Sequence, residues 1–131
     1  MSCSTRPLPG HPPGHLLVLS TCPDGEVARR IARLLVGRRL AACVNILPGV
    51  TSVYEWQGTL EQSAEHLLLI KTTAAAYPAL EAGLRAAHPY ELPEICALPL
   101  ARGLPAYLDW VSAQCEEPPQ GENPPPGEGA P

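Results

Sequence analysis

The stretch His88-Pro89-Tyr90-Glu91-Leu92-Pro93-Glu94-Ile95 places one imidazole, one phenol and two carboxylates within a few residues, punctuated by two prolines. Proline fixes its own φ and pushes the residue before it out of the helical region. His88 and Leu92 are therefore expected to be extended, and the polar side chains to be held in a nearly fixed arrangement. Imidazole suits copper and zinc, and a carboxylate can complete such a site. His88 and Glu94 are the leading candidate metal ligands. Two ligands are too few for tight binding, so a neighbouring subunit or a cysteine has to help. The competing role is architectural: His88 caps the helix before it and Glu94 pairs with an arginine at a subunit boundary.

Other chemistry-bearing residues carry similar pairs of readings. Cys43 follows two alanines at a strand start and is either a small apolar side chain or a third, thiolate metal ligand. Cys22 lies near a helix N-terminus, which can lower a thiol pKa. Lys71, at the end of an apolar strand, either receives an anion or snorkels to solvent. Tyr54, Trp56, Tyr90 and Trp110 are candidates for ligand or subunit contacts. No GxSxG, HExxH or P-loop spacing occurs, so a non-enzyme without an organic cofactor is expected.

The elements that must position these groups follow from apolar spacing. His15 to Ser20 reads as a short buried strand. Thr21-Cys22-Pro23-Asp24 offers capping oxygens for a helix with Val27, Ile31, Leu34 and Leu35 inward; Gly37 and Arg38-Arg39 mark its end. Ala42 to Leu47 reads as a strand broken at Pro48-Gly49 and resumed over 50–56. In its second part Val50, Ser52, Tyr54 and Trp56 share one face. Gln57-Gly58 makes a hairpin turn, and Thr59 to Lys71 returns. Thr72 or Thr73 is expected to cap a second helix with Tyr77, Leu80 and Leu84 inward. Ile95 to Leu100 is a last strand. Pro105 opens a final helix with Leu104, Leu108 and Val111 inward. The order β-α-β-β-α-β plus a terminal helix predicts an α+β, ferredoxin-like split-βαβ sandwich. The two hairpin arms are long for so small a domain, and a lone ribbon is marginal in water. Another copy of the chain is the simplest cover.

The chain has 131 residues, one small domain's length, with 45% hydrophobic content. Its 17 prolines concentrate at the ends. Residues 1–14 and 116–131 therefore read as disordered tails around a folded part spanning 15–115. The net charge of −4 comes mostly from Glu116, Glu117, Glu122 and Glu128. The folded part is nearly neutral, which argues against nucleic acid. Arg29, Arg30, Arg33, Arg38 and Arg39 cluster on and after one helix, as on a solvated face. No apolar run approaches the roughly 18 residues that cross a bilayer, and no secretory signal core is visible. The 5 cysteines are odd in number and form no CxxC pair, which suits a reduced, cytoplasmic protein; a processed or organellar form stays open. The Pro/Glu-rich C-terminal tail could dock a protein partner.

Several segments carry a resemblance. Thr21-Cys22-Pro23-Asp24, Ile31-Ala32-Arg33-Leu34-Leu35 and Leu40-Ala41-Ala42-Cys43-Val44-Asn45 come first. Pro48 to Gly58, Lys71-Thr72-Thr73, His88 to Glu94 and Tyr107-Leu108-Asp109-Trp110 follow in order. Together they resemble the CutA divalent-cation tolerance family over about residues 16–112. The resemblance implies a homotrimer with the long hairpins packed between subunits, and binding of or tolerance to copper or another divalent cation. An alternative it also implies is a non-catalytic regulatory or scaffold trimer, linked in animal relatives to acetylcholinesterase processing or membrane anchoring. Family members proposed to bind copper use a cysteine on the first strand and a histidine just before the His-Pro pair. Those positions are Ser20 and Ala87 here.

Overall fold

The computed structural model describes residues 14–116; most of both expected tails, and any partner docking to the C-terminal one, lies outside the described residues. Seven elements run in the order β1 (His15–Cys22), α1 (Gly25–Gly37), β2 (Cys43–Trp56), β3 (Thr59–Thr73), α2 (Tyr77–Ala87), β4 (Cys96–Pro99) and α3 (Pro105–Gln114). The four strands form one antiparallel sheet in the order β2-β3-β1-β4. Two β-α-β units thus interleave, as the element order predicts.

Local sequence explains most boundaries. Asp24 is extended and its carboxylate accepts the Val27 N–H at 2.9 Å, which caps α1. Ala28, Ile31 and Leu35 are the buried stripe of that helix. Gln57 and Gly58 both take positive φ, 53° and 83°, the backbone a two-residue type I′ hairpin requires. α2 starts later than its threonines suggest. Its N-cap is Ala76, which has no side-chain hydrogen bond, and Pro78 sits in the first turn. Thr73 Oγ1 instead accepts the Ala76 N–H at 3.1 Å and closes the turn before it. α1 ends at Gly37, but the left-handed residue is Arg39 (φ 60°). Its guanidinium donates to the carbonyls of Ala113 (2.9 Å) and Glu116 (2.6 Å), the free end of α3. His15 Nε2 ties the same helix to β1 through the Leu108 carbonyl at 3.0 Å.

Pro48-Gly49 does not break β2. It forms a bulge: Leu47 pairs with Leu67, and the next pair is Val50 with Glu65. β2 gains one residue there, which moves the even-numbered residues after the bulge onto the face that the odd-numbered ones occupy before it. Proline is tolerated because β2 is an edge strand.

The core lies between one sheet face and helices α1 and α2. Val18, Cys22, Leu68 and Ile70 meet Ile31, Leu35, Leu80 and Leu84 there, all fully buried. Ser20 shares this face and is also fully buried, and its Oγ has no hydrogen-bond partner among the described residues. An orphaned hydroxyl costs its desolvation and returns nothing. Ser20→Ala is therefore expected to be neutral or to stabilise by up to about 1 kcal/mol, read from urea denaturation midpoints; a loss above that size would mean the hydroxyl has a partner.

The opposite sheet face is covered much less. Leu17, Leu19, Leu67 and Leu69 lie on it half-buried, and Leu47 and Leu98 are 50% and 45% exposed. α3 covers only one end, with Val111 buried, Leu108 half-buried and Tyr107 and Trp110 exposed. Leu104, expected inward, is 71% exposed because it is the residue that turns the chain into α3.

Candidate functional site

His88 closes α2 in extended conformation (φ −81°, ψ 137°), as the following proline demands. Its ring is buried and both nitrogens are used. Nδ1 accepts the Tyr90 N–H at 3.1 Å, and Nε2 lies 2.8 Å from the Thr21 carbonyl. An acceptor at Nδ1 fixes the proton on Nε2, so the ring is the neutral tautomer and donates to Thr21. The Tyr90 ring sits 4.7 Å from that of His88, and its hydroxyl donates to Glu65 Oε2 at 2.6 Å. One polar chain thus runs from the end of β1 through His88 and Tyr90 to a carboxylate on β3.

Glu65 lies on the floor of a groove of about 1010 Å³ between the outer half of the β2–β3 ribbon and residues 90–94. Glu55, Glu61, Glu91 and Glu94 line its rim, and Tyr54, Trp56, Leu92 and Pro93 its apolar walls. Among the described residues no Lys, Arg or His lines it. Glu65 itself is only 5% exposed. Burial, then the hydrogen bond to Glu65 and its charge, holds the Tyr90 phenol well above its ordinary range. Burial is also the first cause at Cys22, whose thiol is pushed up to about 11, with Glu65 and Asp24 adding to it. The nearby helix start does not lower it, so Cys22 is a neutral core side chain.

The remaining candidates divide between two places. Tyr54, Trp56, Tyr90 and Glu94 converge on the groove. Cys43 and Lys71 are register partners near the other end of the sheet, where the Lys71 ammonium donates to Asn45 Oδ1. Tyr107 and Trp110 of α3 contact each other there at 5.6 Å, and Cys43 lies close enough to help raise the Tyr107 phenol, after burial. Lys71 is opposite Leu17, four residues along β1 from Thr21, a separation of about 13 Å at strand rise. Cys43 and His88 are therefore not brought together within one chain. Among the described residues no group of three or more His, Cys, Asp or Glu side chains could hold a metal ion. With both imidazole nitrogens engaged, the donors of a single chain do not fit a tight imidazole–thiolate centre.

Glu65 and Thr21 are the site residues that sequence reasoning missed. In Ala64-Glu65-His66-Leu67 the glutamate looks like a solvated strand position. The available signal was its alternation with Ser63 and Leu67 on one strand face, together with an apolar run directly after it.

The CutA1 divalent ion tolerance protein model matches residues 16–114. The chain belongs to this family. It is 57% identical over 95 residues to the divalent-cation tolerance protein CutA of Thermus thermophilus, covering 72% of this chain and 92% of that one. It is 48% identical over 103 residues to Protein CutA of Mus musculus, covering 78% of this chain and 58% of the mouse protein's length. Among solved structures, the Cut A1 divalent cation tolerance protein from Thermus thermophilus superposes with a TM-score of 0.76 at 53% identity, over 78% of this chain and 99% of that one. CutA family membership agrees with the observed four-stranded antiparallel sheet and three helices. Among the described residues no helix is long and apolar enough to cross a membrane.

Proposed function

We propose that this chain is a non-catalytic homotrimer that takes part in divalent-cation tolerance by binding such ions, copper among them, weakly between subunits. The observation that carries the reading is the apolar sheet face, covered by α3 at one end only, that runs into the carboxylate-lined groove. A face bearing six leucines calls for a protein cover. β2 and β4 are the two open edges of the sheet, and unpaired edges invite another strand. Joining one copy's β2 edge to the next copy's β4 edge is a head-to-tail contact, which closes into a ring when the rotation between copies closes; closure at three is the family expectation. Carboxylates of neighbouring copies would then meet, and Glu94 is the residue proposed to contact the ion. His88 acts here as the strut that positions this segment, and Cys43 and Lys71 belong to the subunit contact at the far end of the face. Carboxylate donors hold copper less tightly than imidazole and thiolate do, consistent with Ser20 and Ala87 standing where copper-binding relatives are proposed to carry cysteine and histidine.

Calorimetric titration of the full chain with copper and with zinc tests this. Saturable binding weakened several-fold by Glu94→Ala is expected. No saturable heat with either ion, or binding unchanged by Glu94→Ala, overturns the metal part.

A further inference from the structure

A second cavity, of about 540 Å³, lies where α1 ends, α2 begins and α3 ends. It sits beside the first residue of β1 and the last of β3, away from the turn of the β2–β3 ribbon. Leu40, Ala74, Ala75 and Ala79 give it apolar walls, and Arg38 and Arg39 bring two cations to it. Glu116 is the one acidic residue among the described residues that line it. The N-terminus of α2 adds partial positive charge. Its N-cap, Ala76, makes no side-chain hydrogen bond, and its first turn holds no acidic residue.

The second observation is where the chain goes next. Arg39 holds the carbonyls of Ala113 and Glu116 at 2.9 Å and 2.6 Å, so the chain leaves α3 at the rim of this cavity. The sequence that follows is Glu117-Pro118-Pro119-Gln120-Gly121-Glu122. Its carboxylates complement the two arginines and the start of α2, and its prolines complement the alanine walls. At the polyproline rise of about 3.1 Å per residue, the six residues from Glu116 to Glu122 reach about 19 Å. That is long enough to cross from the end of α3 to the start of α2, since both line one cavity. Residues 1–13 also approach the cavity, at Gly14. Arg6 is the one Asp, Glu, Lys or Arg among them, so charge selects the C-terminal segment as the occupant.

We propose that residues 117–122 dock back into this cavity of their own chain, with the carboxylate of Glu117 or Glu122 paired to Arg38 and the prolines against the alanine walls. The docked segment joins the end of α3 to the start of α2. It uses neither the carboxylate-lined groove nor the subunit contact, so it holds or fails apart from metal binding and assembly. The test is carbodiimide coupling of the full chain carrying Arg38→Lys, an exposed position where the change keeps the charge. Linked peptides are mapped by mass spectrometry. Lys71 is the one native lysine and serves as the internal control. Coupling of position 38 to Glu117 or Glu122 within one chain is expected, at least fivefold above coupling of Lys71 to the same carboxylates. It is expected to fall severalfold at about 1 M salt, where such pairs are screened. Amide hydrogen exchange of the full chain supplies a second readout. Glu117→Gln combined with Glu122→Gln is expected to speed exchange across 74–79 at least threefold. Equal yields at position 38 and Lys71 overturn the proposal, as do links formed only between chains. Exchange across 74–79 that the double substitution leaves unchanged overturns it too.

Discussion

His88→Ala is expected to destabilise the protein by about 3 kcal/mol, the scale of two stranded hydrogen-bonding groups plus a lost buried ring. The imidazole is the only described link that accepts the Tyr90 N–H and donates to the Thr21 carbonyl. Without it both backbone groups lose their partner, and Tyr90 loses the ring that it leans on at 4.7 Å. Urea denaturation at one fixed protein concentration measures the effect, the concentration being held because assembly feeds into apparent stability. The alternative role makes the opposite pattern. If His88 were chiefly a metal ligand, its loss would abolish the copper heat and leave the metal-free protein within about 0.5 kcal/mol of the parent, the range of substitutions without a structural role. Tyr90→Phe separates the two halves of the chain of contacts. It keeps the tilted ring contact and the backbone N–H donor to His88 and removes only the hydroxyl donor to Glu65.

The architecture was legible because its signals are local. Asp24 carries its own capping oxygen, Gln57-Gly58 its own turn geometry, and Ile31 and Leu35 their own period. The interleaved sheet follows from element order alone. Errors arose where distant residues decide. Thr73 offers a cap, yet the helix begins after Ala76 because the preceding turn consumes the threonine hydroxyl. Pro48-Gly49 reads as a strand end, but pairing with β3 on both sides carries the strand across it as a bulge. The candidate site was half legible. The prolines announced a stiff segment at 88–94, and the segment is stiff for a further reason that no spacing reveals: His88 is bolted to β1, 67 residues earlier. Glu65 was invisible because its burial depends on Tyr90 folding over it from another element. Cys43 looked available to His88 only while their places in the sheet were unknown.

Leu47→Glu combined with Leu98→Glu is expected to turn the assembly into single chains. Leu47 and Leu98 are 50% and 45% exposed in the isolated chain, so carboxylates there disturb the fold of one chain little. In a closed ring the same positions are covered, and each substitution repeats at every subunit. Losing a buried leucine removes about 1.5–3 kcal/mol, and burying an unpaired carboxylate in its place costs several more. With two sites per chain, the accumulated penalty exceeds what a contact of ordinary affinity supplies. Light scattering is expected to give about three times the 13.9 kDa chain mass for the parent and a single chain mass for the double variant. A parent that scatters as a single chain would remove the trimer outright. A variant that keeps the parent mass would place the contact elsewhere, the next surface being the ribbon tip, where Val53 and Leu60 are 62% and 77% exposed. Val53→Glu with Leu60→Glu then decides between a ring closed through the sheet face and one closed through the ribbon. Either arrangement bears on the groove, because Val53 and Glu94 both line it.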